Sequence, residues 1–79
     1  MDQTVITRTL DCQGLYCPEP LFQTREAIDG LQLGETLEVF SDDPAAEEDI
    51  KRFVKRTGHE LIECASNDGV FRFLIRKTK

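Results

Sequence analysis

No tryptophan occurs among the 79 residues, and histidine, tyrosine and methionine each appear once. A lone histidine, His59, leaves little for a hydrolase that needs a base beside its nucleophile. Basic residues are in deficit: 10 lysines and arginines face 15 acids, for a net charge of −5. That balance argues against direct capture of nucleic acid, where neutralisation of phosphates by Lys and Arg supplies most of the affinity. No apolar run approaches the roughly 20 residues of a membrane helix. The opening MDQTVITRTL lacks the basic head and apolar block of a signal peptide. A cytoplasmic location and no membrane partner are therefore expected. Cysteine is sparse and odd in number, at Cys12, Cys17 and Cys64. In a cytosolic chain that is not a disulfide framework, and at least one thiol is left over.

What is present fits one small domain over residues 1–79. At this size a fold buries roughly 60% of the surface its unfolded chain exposes, so the core is modest. A deep enclosed pocket is not expected, and any chemistry sits at the surface and borrows walls from a partner. Residues 4–11, TVITRTLD, are β-branched and read as a strand, with Ile6 and Leu10 on one side and Val5, Thr7 and Thr9 on the other. Residues 18–31 read as a helix with Leu21, Ile28 and Leu31 on one stripe, Thr24 or Arg25 between them, and Gly30 or Gly34 as the stop. Residues 35–41 alternate as a second strand. A second helix then starts with Asp43 as cap and Pro44 at its first position, and ends at Gly58. Its apolar face is Ala46, Ile50, Phe53 and Val54, and Glu47 and Glu48 stand four residues before Lys51 and Arg52. A third strand over 60–66 puts Cys64 on the same side as Ile62. The NDG turn at 67–69 then leads to a fourth strand whose Phe71, Phe73 and Ile75 alternate with Arg72 and Arg76. The expected fold is a two-layer α/β sandwich, β-α-β-α-β-β, with both helices on one face of a four-stranded mixed sheet. The other face is more polar, with Phe40 or a fourth-strand aromatic on it.

Between the first strand and the first helix lies GLYCPEPL, residues 14–21. Prolines beside a cysteine are well suited to fixing a helix start. With Cys17 at the N-cap and Pro18 at the first helical position, the sulfur faces the helix's outward N–H groups and the positive end of its dipole. Both favour a thiolate. Neither Pro18 nor Pro20 has an N–H, so only Glu19 and Leu21 can donate early, and the Glu19 charge opposes the dipole. A modest drop in the Cys17 pKa is expected, which preserves nucleophilicity. Gly14 lets the approach turn tightly, and Cys17 is pushed to extended geometry by the proline after it. The result is a rigid, protruding sulfur. Cys12 and Cys17 are not a C-x-x-C redox pair, and the three cysteines lack the paired spacing of a zinc site. A thiol that accepts sulfane sulfur as a persulfide from one protein and hands it to another fits what remains.

The segment LDCQGLYCPEPLFQTREAI resembles the signature of TusA/SirA-like sulfur-carrier proteins, Asp-x-x-Gly-x-x-Cys-Pro-x-Pro, met here by Asp11, Gly14, Cys17, Pro18 and Pro20. GETLEVFSDDPAAEEDI and FRFLIRK resemble the family's second strand with its Asp-Pro helix start and its closing strand, so the likeness covers about residues 9–77. It implies a persulfide carrier with Cys17 as the catalytic residue and Asp11, Gly14, Pro18, Glu19 and Pro20 in support. The donor implied is a cysteine desulfurase or rhodanese-like protein, and the acceptor a downstream sulfur-relay protein. The pathways implied are tRNA thiolation, cofactor sulfur supply or sulfur oxidation, and some members are linked to selenium. No cofactor and no metal are expected, and the chain is expected to be a monomer. Phe22, Arg25 and Asp43 are candidate docking residues: Phe22 is either core edge or exposed anchor, and Arg25 either a solvated residue or a docking charge. Cys12 and Cys64 read as structural thiols, and His59 as a surface or capping contact. The rival readings are a regulatory or interaction module with an incidental thiol and a Cys12–Cys17 thiol–disulfide switch.

Overall fold

Alternation along the strands decides which side is buried, and one sheet results. The computed structural model describes residues 5–16 and 18–79. Its elements run β1 (Arg8–Asp11), α1 (Glu19–Asp29), β2 (Thr36–Ser41), α2 (Pro44–Thr57), β3 (Glu60–Asn67) and β4 (Val70–Arg76). The strands lie in the order β1-β2-β4-β3. β1 pairs parallel with β2, while β4 is antiparallel to both β2 and β3. The fold is the expected mixed α/β sandwich, β-α-β-α-β-β. The β1-α1-β2 crossover joins neighbours, but β4 inserts between β2 and β3. Its Phe73, Leu74 and Ile75 are all buried, the mark of a central strand covered on both faces.

Leu37 and Val39 of β2 and Phe73 and Ile75 of β4 face the helices and form the core with Ala27, Ile28 and Leu31 from the α1 side and Ala46, Ile50, Phe53 and Val54 of α2. Thr24, not Arg25, completes the α1 stripe. It is fully buried and its hydroxyl donates to the Pro20 carbonyl at 2.7 Å, a back-bond that makes a buried threonine affordable inside a helix. α2 is capped as expected. Asp43 accepts from the Ala45 N–H at 3.1 Å, and the chain leaves the helix at Gly58. Lys51 meets Glu47 at 3.0 Å, and Arg52 stands 3.9 Å from Glu48.

The third strand departs from its expected pattern. A bulge between Leu61 and Glu63 leaves Ile62 out of the register. Leu61, rather than Ile62, therefore shares the core side with Cys64, because one inserted residue reverses the parity of everything before it. The NDG turn holds Asp68 at φ 52 and Gly69 at φ 81, the paired positive angles of a tight hairpin. On the face away from the helices, Leu74 lies opposite Glu38 and Glu63. Arg72 bridges both carboxylates, at 2.6 Å to Glu38 and 2.9 Å to Glu63, and Arg76 meets Glu60 at 3.2 Å. Phe40, not a β4 aromatic, is the aromatic on this side.

Beyond β4, Lys77 reaches the α1 end, donating to the Leu31 carbonyl at 2.8 Å, a cation where the helix dipole favours one. His59 Nδ1 accepts from the Thr78 N–H at 3.2 Å, and its ring lies against Phe53. Burial pulls the His59 pKa below its ordinary value, aided by the Lys77 and Lys79 charges and opposed by Asp29. The unfolded chain therefore binds this proton more readily than the folded one. Stability contributed by neutral His59 is present above about pH 6.5 and is lost as pH falls through the lower folded pKa. Urea titrations from neutral pH downward are expected to show this fall, and His59→Asn to flatten it. Phe73→Ala, which empties the centre of the core, is expected to cost about 3–5 kcal/mol in the same assay.

Candidate functional site

The parallel β1–β2 pairing continues past the strand, with the Cys12 N–H donating to the Phe40 carbonyl at 2.7 Å. The chain then turns sharply. The Leu15 N–H donates to the Cys12 carbonyl at 3.1 Å, and Gly14 takes φ +85 at the third position of that turn. A side chain at Gly14 would meet nothing within 4 Å, so the backbone angle, not space, calls for glycine here. Two carboxylates hold the turn. Asp11 Oδ1 accepts from the Gln13 N–H at 3.0 Å, and Asp42 Oδ1, from the loop after β2, accepts from the Gly14 N–H at 3.0 Å.

Leu15 packs against the core, whereas Tyr16 is 74% exposed. Residue 17 and its expected N-cap position lie outside the described residues. The α1 cap falls on Pro18, with φ −96 and ψ 10 and no side-chain cap, one residue later than the sequence reading placed it. The first helical bond runs from the Phe22 N–H to the Pro18 carbonyl at 3.0 Å. The Glu19 N–H, expected to face the sulfur, instead donates to the Tyr16 carbonyl at 2.9 Å. Pro18 and Glu19 are exposed, and Pro20, in the first turn of α1, is buried.

Phe22 is 56% exposed, which settles its position as a surface aromatic. It lines a shallow groove of about 250 Å3 on the outer side of α1 with Arg25, Glu26 and Asp29. Asp43 is a different case. It is buried, its carboxylate caps α2 and its N–H donates to Ser41 Oγ at 3.2 Å. The cap expected at Asp43 is thus in place, and its neighbour Asp42 is the exposed acid. No local spacing in the sequence signals the Asp42 bond to Gly14, a contact across 28 residues.

Cys12 is wholly buried in the core, and burial pushes its thiol pKa up, with Asp11 adding to the effect. Cys64 is half-buried, its Sγ 3.8 Å from Glu47 Oε2. Burial raises its pKa, opposed by the Lys51 charge and aided by Glu47. Among the described residues, no group of three His, Cys, Asp or Glu side chains is placed to hold a metal ion, and no helix is long and apolar enough to cross a membrane.

The profile of the family described as sulfurtransferase TusA matches residues 8–77. This chain belongs to the TusA family. A "Putative sulfur carrier protein" of Archaeoglobus fulgidus is 48% identical over 73 residues, covering 91% of this chain and 95% of that one. The "Sulfur carrier protein TusA" of Allochromatium vinosum is 38% identical over 69 residues, covering 87% and 91%. In fold, the chain is similar to the crystal structure of a SirA-like protein from Desulfitobacterium hafniense, with a TM-score of 0.82, 21% identity, and coverage of 92% of this chain and all of that one. The TusA match takes in the whole turn from Asp11 to Pro20 and the Asp42 loop that holds it.

Two outcomes follow for the turn and its thiols. Gly14→Ala is expected to cost about 1–2 kcal/mol in urea denaturation, the penalty of a side chain at positive φ; unchanged stability would contradict the assigned backbone. The raised pKa values of Cys12 and Cys64 mean smaller thiolate fractions at neutral pH, so both should react with iodoacetamide more slowly than a free cysteine. Peptide mapping by mass spectrometry reads this directly, and raising the pH should speed both.

Proposed function

We propose that the chain is a sulfur carrier that holds a persulfide on Cys17 and passes its outer sulfur between partner proteins. The observation that carries this reading is the setting of the motif. A turn tied down by Asp11 and Asp42 leads to Tyr16 and Pro18, both exposed, on either side of position 17, in a chain whose family and relatives carry sulfur-transfer names. The other two thiols are buried or half-buried with raised pKa values, which leaves Cys17 as the nucleophile.

In the transfer, the Cys17 thiolate attacks the outer sulfur of a donor persulfide. The donor S–S bond breaks, the donor leaves as a thiolate, and Cys17 becomes the persulfide. An acceptor thiolate then attacks the same outer sulfur and Cys17 leaves as a thiolate. One sulfur atom moves in each step, and no outside oxidant or reductant enters. A cysteine desulfurase or rhodanese-like protein fits as donor, and a second relay protein as acceptor, supplying tRNA thiolation, cofactor synthesis or sulfur oxidation. Phe22 and Arg25, exposed on the helix that begins at the motif, form a docking patch. The acidic chain has no direct role on nucleic acid. It works as a single-domain monomer in the cytoplasm.

Incubation with a cysteine desulfurase and cysteine should add the mass of one sulfur atom to the Cys17 peptide. Cys17→Ser should abolish the gain, while Cys12→Ala and Cys64→Ala should keep it. A gain that survives in Cys17→Ser overturns the assignment.

A further inference from the structure

The sheet face opposite the helices is divided in two. At one end, Leu74 is roofed by the Arg72 and Arg76 ion pairs with Glu38, Glu63 and Glu60. At the other end that roof stops. Phe40, Ala65 and Val70 are left around a groove of about 250 Å3, with Arg72 and Asn67 at its edges. This unroofed end is the one nearest the motif turn. Phe40 pairs with Asp11 in the β1–β2 register, and the Phe40 carbonyl holds the Cys12 N–H.

The groove is smaller than the roughly 300–1,000 Å3 of small-molecule pockets, which suits one side chain better than a metabolite. Its walls are apolar but its surroundings are acidic. Asp11 stands beside Phe40, Glu38 and Glu63 flank Arg72, and Asp68 sits in the turn between Asn67 and Val70. Glu38 and Glu63 outnumber the one guanidinium they bond, and Asp11 beside Phe40 and Asp68 in the turn add further negative charge at the groove's ends. Such a rim selects for cations beside the inserted group and steers their approach.

We propose that this groove receives one apolar side chain, flanked by lysine or arginine, from a sulfur-relay partner protein, and so forms a second docking site on the opposite side of the molecule from Phe22 and Arg25. The assignment of that partner rests on the persulfide-carrier reading; the groove's preference for a basic-flanked apolar group does not. Two docking faces meeting at one turn let different partners reach the same sulfur without sharing contacts.

Titration of the isotope-labelled full chain with the blocked tripeptide Lys-Leu-Lys, followed by amide NMR shifts, tests the proposal. Shifts are expected at Phe40, Ala65, Asn67 and Val70 and not along α1, and the acidic analogue Glu-Leu-Glu should produce none of them. Ala65→Arg places a charge at an exposed edge of the groove and should weaken binding about tenfold or more. Its unperturbed core amides would show that the fold is intact. No shifts, shifts confined to α1, or equal shifts with the acidic peptide overturn the proposal. Running the sulfur-loading assay and the titration side by side on the unsubstituted chain separates the two readings. Failed sulfur loading with a normal titration removes the carrier role, whereas normal loading with a failed titration removes the groove.

Discussion

The parallel pairing of β1 with β2 is the constraint on which the site depends. It sets the Cys12 N–H on the Phe40 carbonyl and brings Gly14 to within 3.0 Å of Asp42. The motif turn is thus fixed at both edges: by a backbone bond to β2, and by a carboxylate from the loop that also starts α2. Asp42 and Asp43 divide this labour. One holds the turn and the other caps the helix, so a two-residue stretch couples the site to the second half of the sandwich. Held backbone of this kind keeps a reacting group in one place without enclosing it, which a carrier that must be reached by larger bodies requires.

Charge and burial sort the remaining groups. Burial raises the pKa of Cys12 and of Cys64, so the thiols that support the core are poor nucleophiles. The acids, in excess overall, meet arginines on the open face of the sheet. Ion pairs of this kind add little stability one by one. The Glu38–Arg72–Glu63 set has a different use here: it covers Leu74 with groups that keep their own partners, closing that end of the sheet to association.

Most of the architecture could be read from the sequence because it rests on local rules. The Asp43-Pro44 start, the Gly58 stop and the 3.6-residue spacing of Ala46, Ile50, Phe53 and Val54 each specify α2 unaided. The NDG turn fixes the last hairpin. What could not be read is non-local. Nothing in a strand's own residues states which neighbours it takes, although the unbroken Phe73-Leu74-Ile75 run of β4 does carry the mark of a strand buried on both sides. The bulge at Ile62 changed the facing of Leu61, and a one-residue insertion leaves no compositional trace. At the site, Asp11, Gly14 and the prolines were legible as motif and turn chemistry. The helix cap fell one residue later, on Pro18, because the Tyr16–Glu19 turn takes up the first N–H. At Asp43 a cap and a docking charge look alike in sequence, and both readings stood there; the fold uses the carboxylate as the cap.

β4, the latest of the four strands in the chain, sits between β2 and β3 inside the sheet. While the ribosome is still adding residues beyond β3, that strand has no hydrogen-bonding neighbour, and β2 has only β1. A nascent chain can therefore form its helices early but must wait for β4 to complete the sheet. Assembly then turns on contacts between distant parts of the chain, the kind whose loop-closure cost slows folding.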